Sequence, residues 1–264
     1  MRQVISDIRV ESSGGDGIYV QNASDVSVIR VDSNDHYRQG MSVIDVSGLT
    51  VLNSSFRNTN GTAPMAGIDI EPSNGIDQIE QIQISNCLMA NNSGSGIDIS
   101  LGFIISQPRP VSIHVAKVTL RNNSAGVSAG NLVDLNGSVG FEDVLVDGTC
   151  GGAIGLKNKG TDGPNLSFSR VTVRDHGQAT SGFRPHGCES FAATAIYLPI
   201  HLDLPIYADI RKSIECSTNQ PILRRLYYLY ESCVYQALLH LRRSSSVWRS
   251  IRVGVTSCEA QLEG

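Results

Sequence analysis

An all-β, coiled architecture, a parallel β-helix, is predicted for this chain by three features of its sequence. The first is a short phrase, Gly followed by an apolar, a polar and an apolar residue. It reads Gly17-Ile18-Tyr19-Val20, Gly40-Met41-Ser42-Val43, Gly67-Ile68-Asp69-Ile70, Gly96-Ile97-Asp98-Ile99 and Gly126-Val127-Ser128-Ala129, with a looser copy at Ala153-Ile154-Gly155-Leu156. Successive glycines lie 23, 27, 29 and 30 residues apart, a period at which one unit cannot bury its own apolar face and must stack on its neighbours. The second feature is period-two alternation in runs too short for helices. The third is an Asn-rich turn at matching places, as at Asn91-Asn92 and Asn122-Asn123. Asn tolerates the left-handed backbone region and hydrogen-bonds its own neighbourhood, so equivalent turns in stacked coils can form a ladder.

In chain order, Ile5, Ile8 and Val10 already alternate like a strand inside a repeat. With no capping segment before them, an N-terminal part, including an export signal, is expected to be missing. Leu49-Thr50-Val51-Leu52, Asn53, Phe56 and Asn58 then lead to the phrase at Gly67. Ile82-Gln83-Ile84, Ser85-Asn86, Cys87-Leu88-Met89 and Asn91-Asn92 lead to Gly96, and Val111-Ser112-Ile113-His114-Val115, Val118-Thr119-Leu120 and Asn122-Asn123 to Gly126. Strands repeated in one order, with no helix-length crossover, must each pair with the equivalent strand of the next coil. About six coils are expected between Ile18 and Val173. One inward column holds Ile18, Met41, Ile68, Ile97, Val127 and Ile154; a second holds Val20, Val43, Ile70, Ile99, Ala129 and Leu156. Tyr19, Ser42, Asp69, Asp98, Ser128 and Gly155 point outward between them.

The text changes character after residue 175. The phrase and the Asn turns disappear, and Arg224-Arg225 and Arg242-Arg243 occur. Leu223, Leu226, Tyr230, Val234, Ala237, Leu238 and Leu241 fall at helical spacing, behind Asn219 and Pro221 as start signals. Residues 1–175 thus read as the solenoid and 176–264 as an atypical tail, either an irregular or helical cap on the last coil or a frameshifted or chimeric translation. No functional residue is drawn from it.

Composition removes several classes of function. A net charge of −4 lacks the basic face that nucleic acid demands. No run approaches the ~18 apolar residues of a membrane span, and the first residues lack the apolar core of a signal peptide. The six cysteines show no zinc spacing, and Cys87, within an apolar run, is expected to be a buried thiol. Gly14-Gly15-Asp16-Gly17 precedes a strand and not a helix, which removes the phosphate-loop reading.

The Gly-Ile-Asp-Ile phrases, the Asn-Asn turns and the stretch Tyr37-Arg38-Gln39-Gly40-Met41-Ser42-Val43 resemble the right-handed parallel β-helix (solenoid) proteins of the pectate-lyase-like superfamily. The resemblance covers residues 1–175. It implies a right-handed coil, an extracellular or periplasmic location and a polysaccharide or oligosaccharide partner. The superfamily holds polysaccharide lyases, glycoside hydrolases, uronate epimerases, tailspikes and non-catalytic adhesins, so it does not select a reaction. The three-carboxylate motif set of polygalacturonases and the Asp-Pro-His signature of alginate epimerases are both absent here.

Asp69 and Asp98 occupy one position in neighbouring coils and should stack at the strand spacing of ~4.8 Å. Carboxylates so close repel, which raises the proton affinity of one of them unless a cation intervenes. Such a pair suits a retaining glycosidase, one member as nucleophile and the other as acid/base. With Glu71 it also offers hard oxygen ligands for Ca²⁺, which lyases of the resembled superfamily use to neutralise a uronate, with Arg38 as the candidate base. Asp16, Tyr19, His36, Tyr37, Ser42 and Glu71 are the candidate substrate-binding residues around the pair. The segments after each phrase, residues 71–78, 101–110, 131–137 and 157–164, vary and are where a groove would be built. Plainer readings stand beside these: outward Asp is ordinary solubilising surface, Arg38 pairs with Asp35 or Asp45, and His114 is a structural strand residue. A non-catalytic glycan-binding protein is the alternative to an enzyme.

Overall fold

Period-two alternation sends every second side chain to the same side of a strand, and here the inner side is closed by the other strands of the same coil. The computed structural model describes residues 2–105, 109–159 and 163–174, together with 202–206. The chain divides into two units, Met1–Ala208 and Asp209–Gly264, and everything described lies in the first. The helical pattern of residues 221–243 therefore lies outside the described residues.

Each coil is built from three strands. The first coil comprises β1 (Gln3–Ser6), β2 (Arg9–Glu11) and β3 (Ile18–Val20); the second, β4 (Ala23–Ile29), β5 (Asp32–Asn34) and β6 (Met41–Val43). The third comprises β7 (Val46–Leu52), β8 (Ser55–Arg57) and β9 (Ile68–Ile70); the fourth, β10 (Ile79–Ser85), β11 (Leu88–Ala90) and β12 (Ser95–Ser100). The fifth is β13 (Val111–Ala116), β14 (Thr119–Arg121) and β15 (Ala125–Leu132), and the sixth β16 (Gly137–Glu142), β17 (Leu145–Asp147) and β18 (Ile154–Lys159). One long strand, β19 (Asn165–Arg174), then pairs with both β16 and β17, so it runs through the corner between their sheets. Strand β20 (Leu202–Ile206) pairs antiparallel with β19.

All other pairings are parallel and join equivalent strands of successive coils, giving three sheets that run the length of the stack. The third sheet, β3 to β18, has the expected register: Ile18, Met41, Ile68, Ile97, Val127 and Ile154 align, as do Val20, Val43, Ile70, Ile99, Ala129 and Leu156. Met41, Val43, Ile68, Ile70, Ile97 and Ile99 are fully buried, while Ile154 and Leu156, on the last strand of that sheet, are half-buried. Val51 and Ile84 from the first sheet and Phe56 and Met89 from the second meet them in the core. Cys87 is a buried free thiol, as its apolar run predicts, and burial pushes its proton affinity up to a pKa of about 11.

Both tight corners are left-handed. Between the first and second sheets the corner residues are Asp7, Arg30, Asn53, Asn86, Lys117, Asp143 and Arg170; after the second sheet they are Ser12, Asp35, Asn58, Asn91 and Asn122, with Gly148 in the sixth coil. Asn and Asp predominate because their short polar side chains tolerate positive φ. The residue after each second corner turns inward and forms the ladder: Ser13, His36, Thr59, Asn92, Asn123 and Thr149. Thr59 N donates to Asn92 Oδ1 at 3.2 Å, Asn92 N to Asn123 Oδ1 at 3.1 Å, and Asn92 Nδ2 to the same Oδ1 at 2.9 Å.

The glycine of the repeated phrase is required for space, not for its backbone angles. Gly67 lies outside the positive-φ set, but a Cβ there would stand 2.7 Å from the Gly96 carbonyl oxygen and 2.9 Å from both Asn92 Nδ2 and Met89 Cβ. Gly67→Ala is expected to cost about 1–3 kcal/mol as the coils shift to accept it, read as a lowered urea midpoint at unchanged slope.

Candidate functional site

The outward column of the third sheet aligns Tyr19, Ser42, Asp69, Asp98, Ser128 and Gly155 in neighbouring registers, as alternation requires. The outer side of this sheet is not uniformly solvent-facing. Tyr19 is 54% exposed, Asp98 is half-buried, and Ser42 and Asp69 are buried, Asp69 to 2%. A second column, three residues earlier in each coil, covers them: Asp16, Gln39, Ala66, Ser95 and Ala125, each directly before the glycine of its phrase.

This second column bonds across to the next coil. Ser42 Oγ donates to Asp16 Oδ2 at 2.9 Å, and Gln39 Nε2 donates to Asp69 Oδ2 at 2.8 Å. Ala66, which occupies Gln39's position on the following coil, is small enough to leave the Gln39 side chain that path. Ser95 Oγ reaches Asp98 Oδ2 within its own coil at 3.5 Å. The Gln39 backbone N–H donates to Asp16 Oδ1 at 3.3 Å, and Arg38 Nη1 lies 3.4 Å from Asp16 Oδ2. Arg38 therefore pairs with Asp16 and with neither Asp35 nor Asp45; Asp35 accepts from Ser12 Oγ and Asp45 from the Gln78 N–H. The Arg38 guanidinium, the candidate base, is thus tied to Asp16 of the first coil.

Burial is the first cause of the site's electrostatics, ahead of the repulsion expected between stacked neighbours. It pushes Asp69 up to about 7; Glu71 and Asp98 add to the rise, against the Gln39 hydrogen bond and Arg38. Asp98 is also raised, by burial first and then by Glu71, against the Ser128 and Ser95 hydroxyls and the positive charge of Lys157. Lys157 thus acts on Asp98 although it stands two coils beyond it.

Two expectations for site residues need correction. His36 lies inside the coil, 1% exposed, and does not reach the outer face. It is the ladder residue of the second coil: the Ser13 N–H donates to Nδ1 at 3.2 Å, which assigns the ring proton to Nε2, 2.9 Å from Ser33 Oγ. Ser33 Oγ in turn donates to the Gly40 carbonyl at 2.8 Å. Every polar atom of this buried group is used, and burial pushes the imidazole towards its neutral form.

The Ca²⁺ site is the second. Among the described residues no group of three or more His, Cys, Asp or Glu side chains is placed to hold a metal ion. Asp69, Glu71 and Asp98 act on one another through space, but Glu71 is two residues along the strand from Asp69, ~6.6 Å away at the strand rise. Asp69 is moreover occupied by Gln39. The donor set does not fit a Ca²⁺ cage, which needs six or more converging oxygens.

Tyr37 is 54% exposed and lies over the turn at Gly61, and Glu71 is half-buried at the end of β9. The loops after β9 and β12 are joined by the Ile105 N–H to Gly75 carbonyl bond of 3.1 Å and expose Ile76, Phe103 and Ile105. His114 is outward on the first sheet, 3.7 Å from Glu142, as a structural strand residue would be. A shallow depression elsewhere, at the corner of the first and second sheets, is lined by Arg30, Asn53, Asn86, Lys117 and Arg121. Arg30 is neutralised by Asp7 and Arg121 by Asp147, and no carboxyl with a raised pKa lies there. The third-sheet face is therefore the better candidate.

Gln39 and Ser95, unlike Ser128 of the outward column, are members of this face not singled out in the sequence. A signal for these two exists in the residue before each glycine of the phrase, read as Asp16, Gln39, Ala66, Ser95 and Ala125. Among the described residues no helix is long and apolar enough to cross a membrane.

Residues 1–103 match the family model described as a right handed beta helix region, a span that contains both aspartates and the groups that cover them. No curated protein and no solved structure matches the chain. Over those residues the match is to right-handed coils, and the described residues as a whole stack as a parallel β-helix.

Proposed function

We propose that the protein hydrolyses glycosidic bonds of a polysaccharide or oligosaccharide laid along the outer face of the third sheet, outside the cytoplasm. The observation that carries this reading is the stacked pair of raised carboxyls, Asp69 near 7 and Asp98 above its ordinary value. Near neutral pH such a pair holds a proton beside a second carboxyl, the combination that glycoside hydrolysis uses to protonate a leaving oxygen and support the oxocarbenium-like transition state. Access divides the roles: half-buried Asp98 is the group a polymer can touch, and Asp69, sealed behind it, stores the proton. Exposed Tyr19 and Tyr37, on coils one and two, offer ring faces to sugars. The Ca²⁺-dependent lyase or epimerase reading loses support with the missing ligand set.

Reducing-end release on a panel of neutral and acidic polysaccharides tests the proposal. Asp98→Asn is expected to lower the rate at least about 100-fold, the scale of a general acid/base contribution. The parent's rate should decline as pH rises through 7 and Asp69 loses its proton. Because β-elimination also frees a reducing end, reducing ends that appear together with unsaturated-product absorbance would make the enzyme a lyase. Binding that is equal in parent and variant, with no turnover on any polymer, would make it a glycan-binding protein.

A further inference from the structure

The Gln39 side chain is fully buried, and its Oε1 is the one sealed side-chain atom among the described residues with no hydrogen-bond partner. A carboxamide oxygen closed off from water and left without a donor is costly and calls for an explanation. The other end of the same amide already donates to Asp69 Oδ2 at 2.8 Å. Against a carboxylate, the amide can make only that one bond, and its oxygen faces negative charge. Against a neutral carboxyl it can make two, since an acid and a primary amide pair head to head in a closed ring. The hydroxyl of the acid form is then the missing donor.

We infer that Gln39 is a positioning residue that holds the proton on Asp69, Nε2–H donating to one carboxyl oxygen and the carboxyl O–H donating to Oε1. The inference deepens the hydrolase reading above, in which Asp69 stores the proton for Asp98. The charged groups around Asp69 are consistent with it. Burial, Glu71 just past β9 and Asp98 on β12 favour the acid form, and Arg38 opposes them while engaged by Asp16. The Nε2–H bond taken alone also favours the carboxylate, so it is the second bond, O–H to Oε1, that turns Gln39 towards the acid. The column before the phrase glycine supplies the path, because Ala66 leaves room for Gln39 to reach one coil onward.

The test needs no variant to begin with. Carbon-detected NMR of the full chain, titrated from pH 4 to pH 9, would follow the Asp69 carboxyl and the Gln39 carboxamide carbons. Both are expected to move together with a single midpoint far above the ordinary carboxylate range. Titration of Asp69 in the ordinary range, or with the Gln39 carbon unmoved, would overturn the inference. Gln39→Met, which preserves volume, then tests direction. Loss of the ring removes two bonds from the acid form and one from the carboxylate, so the Asp69 midpoint should fall by roughly one pH unit, the scale of one net hydrogen bond. A rise would show that Gln39 serves only as a donor to the carboxylate. The outcomes separate from the fate of the hydrolase reading: joint titration without turnover on any polymer keeps the ring and discards the reaction, whereas turnover with Asp69 titrating alone does the reverse.

Discussion

Asp69→Asn is expected to make the protein more stable at pH 8 by up to roughly 4 kcal/mol and to change it little near pH 4. Folding moves the carboxyl from an ordinary value of 3.8 to about 7. Between those values the folded state keeps a proton that the unfolded state has lost. Stability therefore falls as pH rises through this window, and the whole loss is present above 7. Asn has no proton to lose, fills nearly the same volume, and can present to Gln39 the donor and acceptor that the neutral acid presents. His36 works in the opposite sense. Its proton affinity is lowered by burial, so its contribution is lost as pH falls below the 6.5 of a free imidazole. Urea midpoints of parent and variant, taken across pH 4 to 8, cancel His36 in the difference. A gap that widens with pH is the expected result, and a flat gap would mean that Asp69 titrates normally.

That penalty also says something about why the carboxyl is there. A buried Asp that costs stability at neutral pH is poorly explained as solubilising surface, the plain reading of an outward Asp on such a face. Local energetic cost concentrated at one place on a regular scaffold is a common mark of a functional site. Among the described residues no second pair of raised carboxyls stands elsewhere on the coil. Elsewhere on the described surface Asp7 meets Arg30, Asp32 meets Arg57 and Asp143 meets Arg170, and the proton affinities of these three carboxyls are lowered.

The coil was legible in the sequence because its signal is repeated. Five glycines, each followed by the same apolar, polar, apolar order, set the register of six strands, and both inward columns follow from alternation alone. The site was legible only as far as that register reaches. Asp69 and Asp98 stack as expected, but their burial depends on a neighbouring column whose effect comes from size: Gln39 long, Ala66 short. Periodicity reports which side of a strand a residue takes, and it does not report what lies over it. His36 shows the same limit from within. Read as part of a surface insertion, it instead continues a column of inward polar residues, Ser13, Thr59, Asn92, Asn123 and Thr149, that becomes visible only once the left-handed corner before each of them is aligned. The residues beyond Arg174, apart from β20, lie outside the described part, and the choice between a cap and an out-of-frame tail rests on the coding DNA.

Asn92→Ala should be among the more damaging changes to the polar ladder, at about 2–4 kcal/mol. Asn92 is fully buried and uses its whole amide. Oδ1 accepts from the Thr59 N–H at 3.2 Å and from Thr59 Oγ1 at 3.0 Å, while Nδ2 donates to the Phe56 carbonyl at 3.2 Å and to Asn123 Oδ1 at 2.9 Å. Truncation leaves the Thr59 N–H without a partner in a site that water does not reach, and takes one bond from the Phe56 carbonyl. Such an orphan costs about 1–3 kcal/mol, and the cavity adds to it. Thr59 Oγ1 is cushioned, since its one proton can go to the Met65 carbonyl instead. Asn123 Oδ1 keeps the bond from the Asn92 N–H, so the damage should stay between the third and fourth coils. Hydrogen exchange at the Thr59 amide is expected to accelerate more than exchange in the sixth coil. Asn92→Thr, which places at this rung the residue that Thr59 and Thr149 supply at theirs, should cost less than the alanine. A loss below about 1 kcal/mol for Asn92→Ala, with exchange at Thr59 unchanged, would mean that strand pairing alone holds the coils in register and the ladder adds nothing.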